Sequence, residues 1–419
     1  MPAGTGSRHH GIELRHHPRH PADGPAEDRE GHRHRGRCLV GRIRGRHSRR
    51  DDRCRRDRRR GRSRDEGRPA GRHRRRGSRQ DHRNASRRGG GRLIVVDGSP
   101  ALSVIIVSFN TRDSTVECVR SVIDDAGVAD VEIVVVDNGS TDGSVEALRT
   151  AFPQIVVDDT GENLGFARAV NRGVHQATGE LVVLLNPDTV ALPGSLRALV
   201  DFEAAHPEYG VYGGRTLTPA GALDPSSCWG EPTLWSMFCF ATMLSTVFHG
   251  SKTFDPESLG RWQRDSVREV PIVTGCLLLI RRDSYESLGG LDERFFLYGE
   301  DAEFSIRARR QGLRPVIVPE AEIVHENGGS TSGSHRKMAM IMAGKTTMFR
   351  LIWPRGRARV AIGLLLVGVF VRAALETATR RPRRTWSVAW ATRADWLPGY
   401  PHAESAIFGR PSIREEIAP

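Results

Sequence analysis

Five apolar residues in succession, LVVLL at positions 181–185, lead directly into Asn186, Pro187 and Asp188. A continuous apolar run that ends at turn residues is typical of a strand buried on both faces, as in a parallel sheet. Proline cannot donate a hydrogen bond to a neighbouring strand, so we expect the strand to end before Pro187. Asp188 would then follow the carboxyl end of a buried strand, where ligands bind in open α/β sheets. The alternative is a turn in which Asp188 is only a local hydrogen-bond acceptor.

Apolar runs of strand length alternate with helical patterns on both sides of this segment. Further strands are predicted at 103–107, 131–136, 155–157, 274–280 and 316–318, and helices at 114–126, 145–152, 163–177 and 302–311. Ser114 and Glu117 have the spacing of a capping box at the start of the first helix. The alternation predicts a doubly wound, mostly parallel α/β sheet with helices on both faces.

Polar side chains follow three of the predicted strands at the point where each strand ends. Ser108 and Asn110 follow the first strand, Asp137 follows the second, and Asn186 and Asp188 follow the strand at 181–185. Parallel strands bring their carboxyl ends to one edge, so we expect these groups to line one crevice. The segment after the first strand, SFNTRD, has no glycine, which argues against a dinucleotide cradle. Asp137 is suited to hydrogen-bond a nucleobase or ribose, and Asp188 is suited to hold a cation. Together they predict a bound nucleotide whose diphosphate charge is neutralised by a metal ion.

Four motifs together resemble glycosyltransferase family 2, which has the GT-A fold. They are VSFN at 107–110, VDNGSTDG at 136–143, NLGFARAVNRG at 163–173 and LNPD at 185–188. The likeness is strongest to the branch that includes bacterial rhamnosyltransferases acting on lipid-linked or cell-wall glycans, and it covers residues 101–350. The metal motif of the family is often Asp-x-Asp, and Asn186 stands here at its first position.

The resemblance implies an inverting, metal-dependent enzyme that transfers a sugar from a nucleotide-sugar donor to a lipid-linked or cell-envelope glycan. The expected donor is dTDP-rhamnose, with a UDP-hexose as the alternative, and the expected cofactor is Mg2+ or Mn2+. The implied donor-binding residues are Ser108, Asn110, Asp137, Asn138, Asn163, Asn171, Asn186 and Asp188. A sugar-phosphate nucleotidyltransferase shares the sheet topology, but it should show a glycine-rich, basic loop after the first strand.

The second half of the chain is expected to supply the acceptor chemistry. The resemblance puts Thr274 and Gly275 near the sugar and makes Asp301, paired with Glu300, the catalytic base. Without the family resemblance, the alternative is that these two acids only stabilise the helix, because negative charge at a helix N-terminus interacts favourably with the helix dipole. A base is needed because the acceptor hydroxyl loses its proton as it attacks, and a neighbouring carboxylate raises one pKa of such a pair. His325 is predicted either as a structural histidine or as a second group, with Asp188, on the metal or diphosphate.

The first 92 residues differ sharply in composition from the rest of the chain. They contain 30 arginines, no lysine and 11 acidic residues, whereas the remainder has 33 basic and 39 acidic residues. A segment with so few apolar residues cannot offset its ordering entropy, so 1–92 is predicted to be disordered, or to reflect a mis-assigned start. The segment has no aromatic residues (Phe, Trp or Tyr) on which bases could stack, so no specific nucleic acid is expected. It also lacks the apolar core of a signal peptide. A nucleic-acid-binding protein acting through this arm is the non-enzyme alternative.

The expected domains are a GT-A domain at 93–345 and a helical, membrane-interface segment at 346–419. The apolar stretch 360–371 has only 12 residues, fewer than a bilayer span needs, and arginines and tryptophans flank it. It is predicted either to lie in the membrane interface or to pack on the domain. A second apolar stretch, 234–248, is either a packing helix or a surface for a lipid-linked acceptor. None of the six cysteines has metal-ligand spacing. Cys118 and Cys276 fall in apolar stretches and are expected to be reduced core residues, which suits a reducing compartment, so we expect a cytoplasmic enzyme, peripheral at the inner face of the membrane.

Overall fold

The computed structural model describes residues 101–125, 131–326, 334–379 and 384–409, so the segment 1–92 lies outside the described residues. The first half alternates strands and helices: β1 (Leu102–Ser108), α1 (Arg112–Asp124), β2 (Val131–Asp137), α2 (Ser144–Ala151), β3 (Val156–Asp159), α3 (Phe166–Gln176), β4 (Leu181–Leu185), β5 (Thr189–Ala191), α4 (Ser195–Ala205) and β6 (Gly210–Leu217).

The second half begins with short elements and ends in helices. They are β7 (Cys228–Trp229), α5 (Leu234–Ala241), α6 (Leu244–Val247), β8 (Arg268–Glu269), β9 (Ile272–Val273), β10 (Leu277–Arg281), α7 (Arg282–Ser287), α8 (Glu300–Arg310), β11 (Arg314–His325), α9 (Ser334–Ile352), α10 (Arg355–Ala378), α11 (Thr385–Ala391), α12 (Arg393–Trp396) and α13 (His402–Phe408).

The main sheet has nine strands in the order β3-β2-β1-β4-β10-β6-β11-β5, with β8 beside β11. Strands β3, β2, β1 and β4 are parallel to one another, and β10, β5 and β8 run against the other strands. In the register, Ser108 lies opposite Asp137, and Ile106 lies opposite Leu185. The predicted mostly parallel sheet is confirmed, and its carboxyl-end loops meet at one edge.

Helices cover both faces of this sheet, which explains the unbroken apolar runs of its central strands. Side chains of α1, α2 and α4 pack with one face, and side chains of α3, α7 and α8 pack with the other. Because β4 lies between β1 and β10, every residue of Leu181–Leu185 is buried. The strand predicted at 181–185 is confirmed at both ends.

The predicted capping box at the start of α1 is wrong. The helix begins at Arg112, so Ser114 and Glu117 lie within it. The carbonyl of Thr111 already accepts the N–H of Thr115 at 2.8 Å, and the Thr111 hydroxyl lies 3.0 Å from the Thr115 hydroxyl. The helix therefore starts from a hydrogen-bonded pair of threonines, and the Ser-x-x-Glu spacing is incidental.

Other boundaries also differ from the prediction, such as the strand predicted from 274, which begins at Leu277. Helix α3 starts at Phe166 rather than at 163, because the Asn163 side chain accepts the N–H of Gly165 (φ +85°) in a tight turn. Strand β11 spans twelve residues rather than 316–318, with an irregularity between Ile317 and Glu322, and it ends at His325.

The carboxyl-terminal helices form a third apolar core with α5 and α8. The predicted domain boundary at 345 falls inside α9, which packs against α8 and so belongs to both parts. Gly344 of α9 lies so close to the chain before α8 that a β-carbon there would overlap the carbonyl oxygen of Tyr298. This contact joins α9 to the loop that carries Glu300 and Asp301.

The close approach of α9 predicts opposite effects for two glycine substitutions in helices. Gly344→Ala should lower the free energy of unfolding by about 1–3 kcal/mol, because the new methyl group must push α9 away from Tyr298. Gly363→Ala in α10 should raise it by about 0.5–1 kcal/mol, because nothing lies within 4 Å of its β-carbon position and alanine favours the helix. Urea unfolding measures both, and equal effects would contradict the close contact.

Candidate active site

A cavity of about 700 Å³ opens at the edge of the sheet where β1, β2 and β4 end. Asn138, Asn186 and Asp188 line it from the strand ends, and Glu300 and Asp301 line it from the start of α8. The cavity thus brings together acids that are more than 100 residues apart in the sequence. Its walls carry both charged and apolar groups, as a site for a polar ligand requires.

Two carboxylates flank His325 at the edge of this cavity. Its Nε2 lies 3.3 Å from Oδ1 of Asp188, and its Nδ1 lies 3.1 Å from Oδ2 of Asp224. Burial lowers the pKa of His325, but the hydrogen bonds to the two carboxylates and their charges outweigh it and raise the pKa to about 9. The three side chains join the β4–β5 turn, the end of β11 and the loop after β6.

The donor set at this point fits a divalent cation that also takes ligands from its substrate. Within the residues that the structure describes, no group of three or more His, Cys, Asp or Glu side chains is arranged to hold a metal. Asp188 and Nε2 of a neutral His325 would supply two ligands on the cavity side, and Asp224 would hold the ring from behind, as carboxylates do for metal-bound histidines. Mg2+ is commonly held by one or two protein groups together with substrate phosphates.

Glu300 and Asp301 form a coupled acidic pair at the start of α8. Burial, followed by the charge of Asp301, raises the pKa of Glu300 to about 8. Burial also raises the pKa of Asp301, while hydrogen bonds from the N–H groups of Ala302 and Gly275 lower it. Asp301 thus retains donors that favour its ionised form, whereas Oε2 of Glu300 is buried with no hydrogen-bond partner among the described residues. Burial therefore raises the pKa of both acids, and only Asp301 receives hydrogen bonds from neighbouring N–H groups that offset part of the rise.

Several other predicted residues line the cavity while their polar groups also hold the loops together. The Asn138 amide donates to Oδ1 of Asn163 at 2.9 Å, which connects the end of β2 to the turn before α3. The Thr274 hydroxyl donates to the carbonyl of Ser226 at 2.7 Å. The Asn186 amide lies 3.4 Å from the sulfur of Cys276.

The structure does not bring four of the predicted donor-binding residues to the cavity lining. Ser108 is buried beside Thr115, with 3.2 Å between the hydroxyl oxygens, and Asn110 accepts the N–H of Thr141. Asp137 accepts the N–H of Ser140 through Oδ1, and its buried Oδ2 has no partner among the side chains that the structure describes.

Asn171 is the fourth of these residues, and its amide group fastens α3 to the segment before α8. It donates to the Leu291 carbonyl at 2.9 Å and to Glu293 at 3.0 Å, and it accepts the Tyr285 hydroxyl at 2.6 Å. These contacts use the hydrogen-bonding capacity of the amide away from the cavity. A role for Asn171 in donor binding stays a prediction, and the geometry gives it a structural one.

The sequence analysis missed several charged residues at or behind the cavity, Glu257 among them. Asp224 lies in a segment rich in Gly, Pro and Ser, 101 residues before the histidine that it contacts, so no local spacing marks it. Lys337 and Lys345 line the cavity from α9. The sequence does single out these two lysines, because the chain has only three lysines against 60 arginines.

Comparisons with known proteins identify the family to which the chain belongs. Residues 103–289 match the model of the family described as glycosyl transferase family 2. An N-acetylglucosaminyl-diphospho-decaprenol L-rhamnosyltransferase of Mycobacterium tuberculosis is 32% identical over 220 residues, which cover 48% of this chain and 68% of that protein. The chain belongs to glycosyltransferase family 2. The predicted family, its rhamnosyltransferase-like branch and the GT-A fold class are confirmed, and the chain is a glycosyltransferase.

Other similar proteins share less sequence identity with this chain. An O-antigen biosynthesis protein of Myxococcus xanthus is 29% identical over 56% of this chain and 18% of its own length. A hexosyltransferase of low-salt glycan biosynthesis from Haloferax volcanii is 28% identical over 54% of this chain and 66% of its own length. Among solved structures, a mannosyltransferase of Pyrobaculum calidifontis in complex with GDP-Man and Mn2+ aligns with 75% of this chain and 88% of its own, at 19% identity and a TM-score of 0.46.

The buried position of Glu300 predicts how stability of this glycosyltransferase changes with pH. The folded state keeps the Glu300 proton up to about pH 8, whereas the unfolded chain releases it near pH 4.5. The folded state binds more protons in this window, so the contribution of Glu300 to stability is present below it and is lost as pH rises through it. Glu300→Gln cannot ionise and should lose less stability between pH 6 and pH 8.5 than the wild type.

Urea unfolding at the two pH values tests this difference. Glu146→Gln, on the exposed side of α2, is the matched control and should keep the wild-type dependence on pH. If Glu300→Gln and the wild type lose the same stability, Glu300 is not protonated in the folded protein.

Proposed function

We propose that this family 2 enzyme transfers L-rhamnose from dTDP-rhamnose to a lipid-linked or cell-envelope glycan with inversion at the anomeric carbon. The observation that carries the proposal is that Asp188 and Asp301 line the same cavity. An acid that neutralises the leaving diphosphate and an acid that takes the acceptor proton are the two groups that a single displacement needs. The two acids come from β4 and α8, elements that the sheet holds in place.

Asp301 is proposed as the base and Glu300 as its protonated neighbour. The Asp301 carboxylate would accept the proton of the acceptor hydroxyl as that hydroxyl attacks the sugar. The bonds from Ala302 and Gly275 orient it, and the neutral Glu300 beside it limits repulsion. The raised pKa of Asp301 makes it a better proton acceptor than an exposed aspartate.

Mg2+ or Mn2+ is the proposed cofactor, with Asp188 and His325 as its ligands. The cation would neutralise charge on the leaving nucleoside diphosphate. Asp224 holds the His325 ring in the orientation that points Nε2 toward Asp188.

Support for rhamnose as the sugar comes from the M. tuberculosis relative, whose name specifies an L-rhamnosyltransferase acting on a decaprenol-linked diphosphate sugar. A UDP-hexose is the second candidate donor, and the hexosyltransferase of H. volcanii favours it. The nucleobase of the donor would reach Asp137 only if the loops after β1 and β2 move, since Asp137 is fully buried and does not line the cavity.

Asp301→Asn tests the proposed base. The variant should keep its thermal stabilisation by dTDP-rhamnose with Mn2+, because the donor site is intact, and should lose transfer by a factor of about 10²–10⁴. Radiolabelled sugar transfer and thermal shift measure the two properties. Asp283→Asn, an exposed aspartate at the start of α7, is the control and should transfer at the wild-type rate. An active Asp301→Asn variant would assign the base to another residue.

We also propose that the enzyme binds the inner face of the membrane through a surface shared by α10 and α5. Exposed apolar side chains of α10 (Val360, Val367 and Phe370) and of α5 (Trp235 and Phe238) lie on these two packed helices. An exposed apolar surface of this kind marks a partner or a membrane. We call these five side chains the apolar face.

The contacts of α10 favour a helix that lies on the membrane over one that crosses it. By length and composition α10 is long and apolar enough to span a bilayer, and among the described helices it alone meets those limits. However, its buried side contacts α5 and α6: Arg372 donates to the carbonyl of Phe240 in α5 at 2.6 Å and to the hydroxyl of Thr246 in α6 at 3.1 Å. A crossing helix would give up these bonds and expose Arg372 and Glu376 to hydrocarbon.

Charge at the start of α10 favours an anionic membrane as the partner. Arg355, Arg357 and Arg359 are exposed in the first turns of the helix, next to Val360. Basic side chains beside an apolar face are typical of helices that bind the headgroup region of anionic bilayers.

The double substitution Val367→Glu and Phe370→Glu should abolish sedimentation with vesicles that contain phosphatidylglycerol, because it puts two charges in the apolar face. Val156→Glu, an equally exposed valine on edge strand β3, should bind like the wild type. Binding of the wild type should weaken as salt rises, through screening of the arginines. Retained binding by the double variant would exclude α10 as the attachment surface.

A further inference from the structure

Helix α9 presents one consistent face to the active-site cavity. Lys337, Ile341, Lys345 and Met348 all line the cavity, and spacings of four, four and three residues place them on one side of the helix. We call these four side chains the α9 wall. At 1.5 Å per residue the wall is about 16 Å long, longer than a single sugar. It combines two cations with two flexible or branched apolar side chains.

The two basic residues of the α9 wall are lysines, whereas almost all other basic residues of the chain are arginines. Arginine provides 60 of the 63 Lys and Arg residues, and two of the three lysines are in this wall. Lysine carries a compact charge on a flexible stem and binds phosphate as a point charge. Two such charges on one helical face fit an anionic group.

The ammonium group of Lys345 can still donate hydrogen bonds to a ligand. Its ammonium group lies 2.8 Å from Oε2 of Glu257, and both residues line the cavity. An ammonium group has three donors, and this pair uses one of them. Lys337 is exposed, and its nitrogen lies 5.9 Å from the centre of the Tyr298 ring.

The position of α9 assigns the wall to the acceptor side of the reaction. Gly344 packs on the backbone of Tyr298, two residues before Glu300, so the wall adjoins the loop of the proposed base. The proposed site for the donor diphosphate, at Asp188 and His325, is on the β4–β5 turn and the end of β11. The base must face the hydroxyl that attacks, so the elements next to its loop face the acceptor.

We propose that the α9 wall binds the acceptor as a prenyl diphosphate: Lys337 and Lys345 contact the phosphates, and Ile341 and Met348 contact the first part of the hydrocarbon chain. This inference rests on the proposed function, since it names the acceptor class of the same cavity. The pairing of charge with apolar surface on one face matches an amphiphile with a diphosphate joined to a hydrocarbon.

Direct binding of farnesyl diphosphate, measured by calorimetry on the full chain, tests the wall without relying on transfer. The wild type should bind farnesyl diphosphate at least tenfold more tightly than farnesol. Lys345→Met and Lys337→Met should each weaken farnesyl diphosphate binding about tenfold, because each removes a charge-assisted contact with phosphate. Lys252→Met, which removes the one lysine that does not line the cavity, should bind like the wild type.

Two comparisons distinguish binding from a structural role and from the donor site. Glu257→Gln breaks the same ion pair as Lys345→Met but keeps the lysine, so it should bind farnesyl diphosphate as tightly as the wild type or more tightly. Equal losses in both variants would mean that the pair only stabilises the fold and would overturn the proposal. Binding of dTDP with Mn2+ should be unchanged in Lys345→Met, and a matching loss there would assign the wall to the donor.

Failure of the proposed function gives a different result from failure of the wall. A wild-type enzyme that binds farnesyl diphosphate through the lysines but transfers no rhamnose would keep the wall and reject rhamnose as the sugar. A wild-type enzyme that transfers rhamnose but binds farnesol as tightly as farnesyl diphosphate would reject the wall and keep the sugar.

Discussion

The burial of β4 on both faces determines where the chemistry of this protein can be. Its five apolar residues lie between β1 and β10 and beneath helices on either side, so the strand has one register and one direction. A shift by one residue would turn every side chain to the opposite face. Since Pro187 follows the strand, the chain must turn there, and Asp188 is fixed at the sheet edge. The cavity, the histidine and the acidic pair are arranged around that fixed carboxylate.

Charge in the cavity is divided between two groups that the fold keeps on different elements. Asp188, His325 and Asp224 form one group, in which hydrogen bonds to the two carboxylates and their charges raise the pKa of the histidine between them. Glu300 and Asp301 form the other, in which burial raises the pKa of both acids and backbone hydrogen bonds lower that of Asp301. When the surroundings of two neighbouring groups shift their pKa values apart, one site can contain both an acid and a base.

Local pattern predicted the parts of the fold that depend on burial in a sheet. The strands at 103–107, 131–136 and 181–185, and the meeting of their carboxyl ends, follow from apolar runs and the geometry of parallel strands. Helix starts were less predictable: α1 is set by a threonine pair, which the Ser114 spacing does not reveal. Contacts between distant segments were beyond prediction, because the 101-residue separation of Asp224 and His325 leaves no periodic signal.

Helix α9 has a consequence for how the enzyme meets its acceptor. It runs from the proposed base to the helices that carry the apolar face, and Gly344 holds it against Tyr298. If the acceptor is lipid-linked, as proposed, a substrate captured on this helix would arrive by lateral diffusion within the membrane plane, already oriented with its sugar toward the protein. The rate at which enzyme and acceptor meet would then depend on the number of acceptor molecules per unit area of bilayer and not on their concentration in the cell volume.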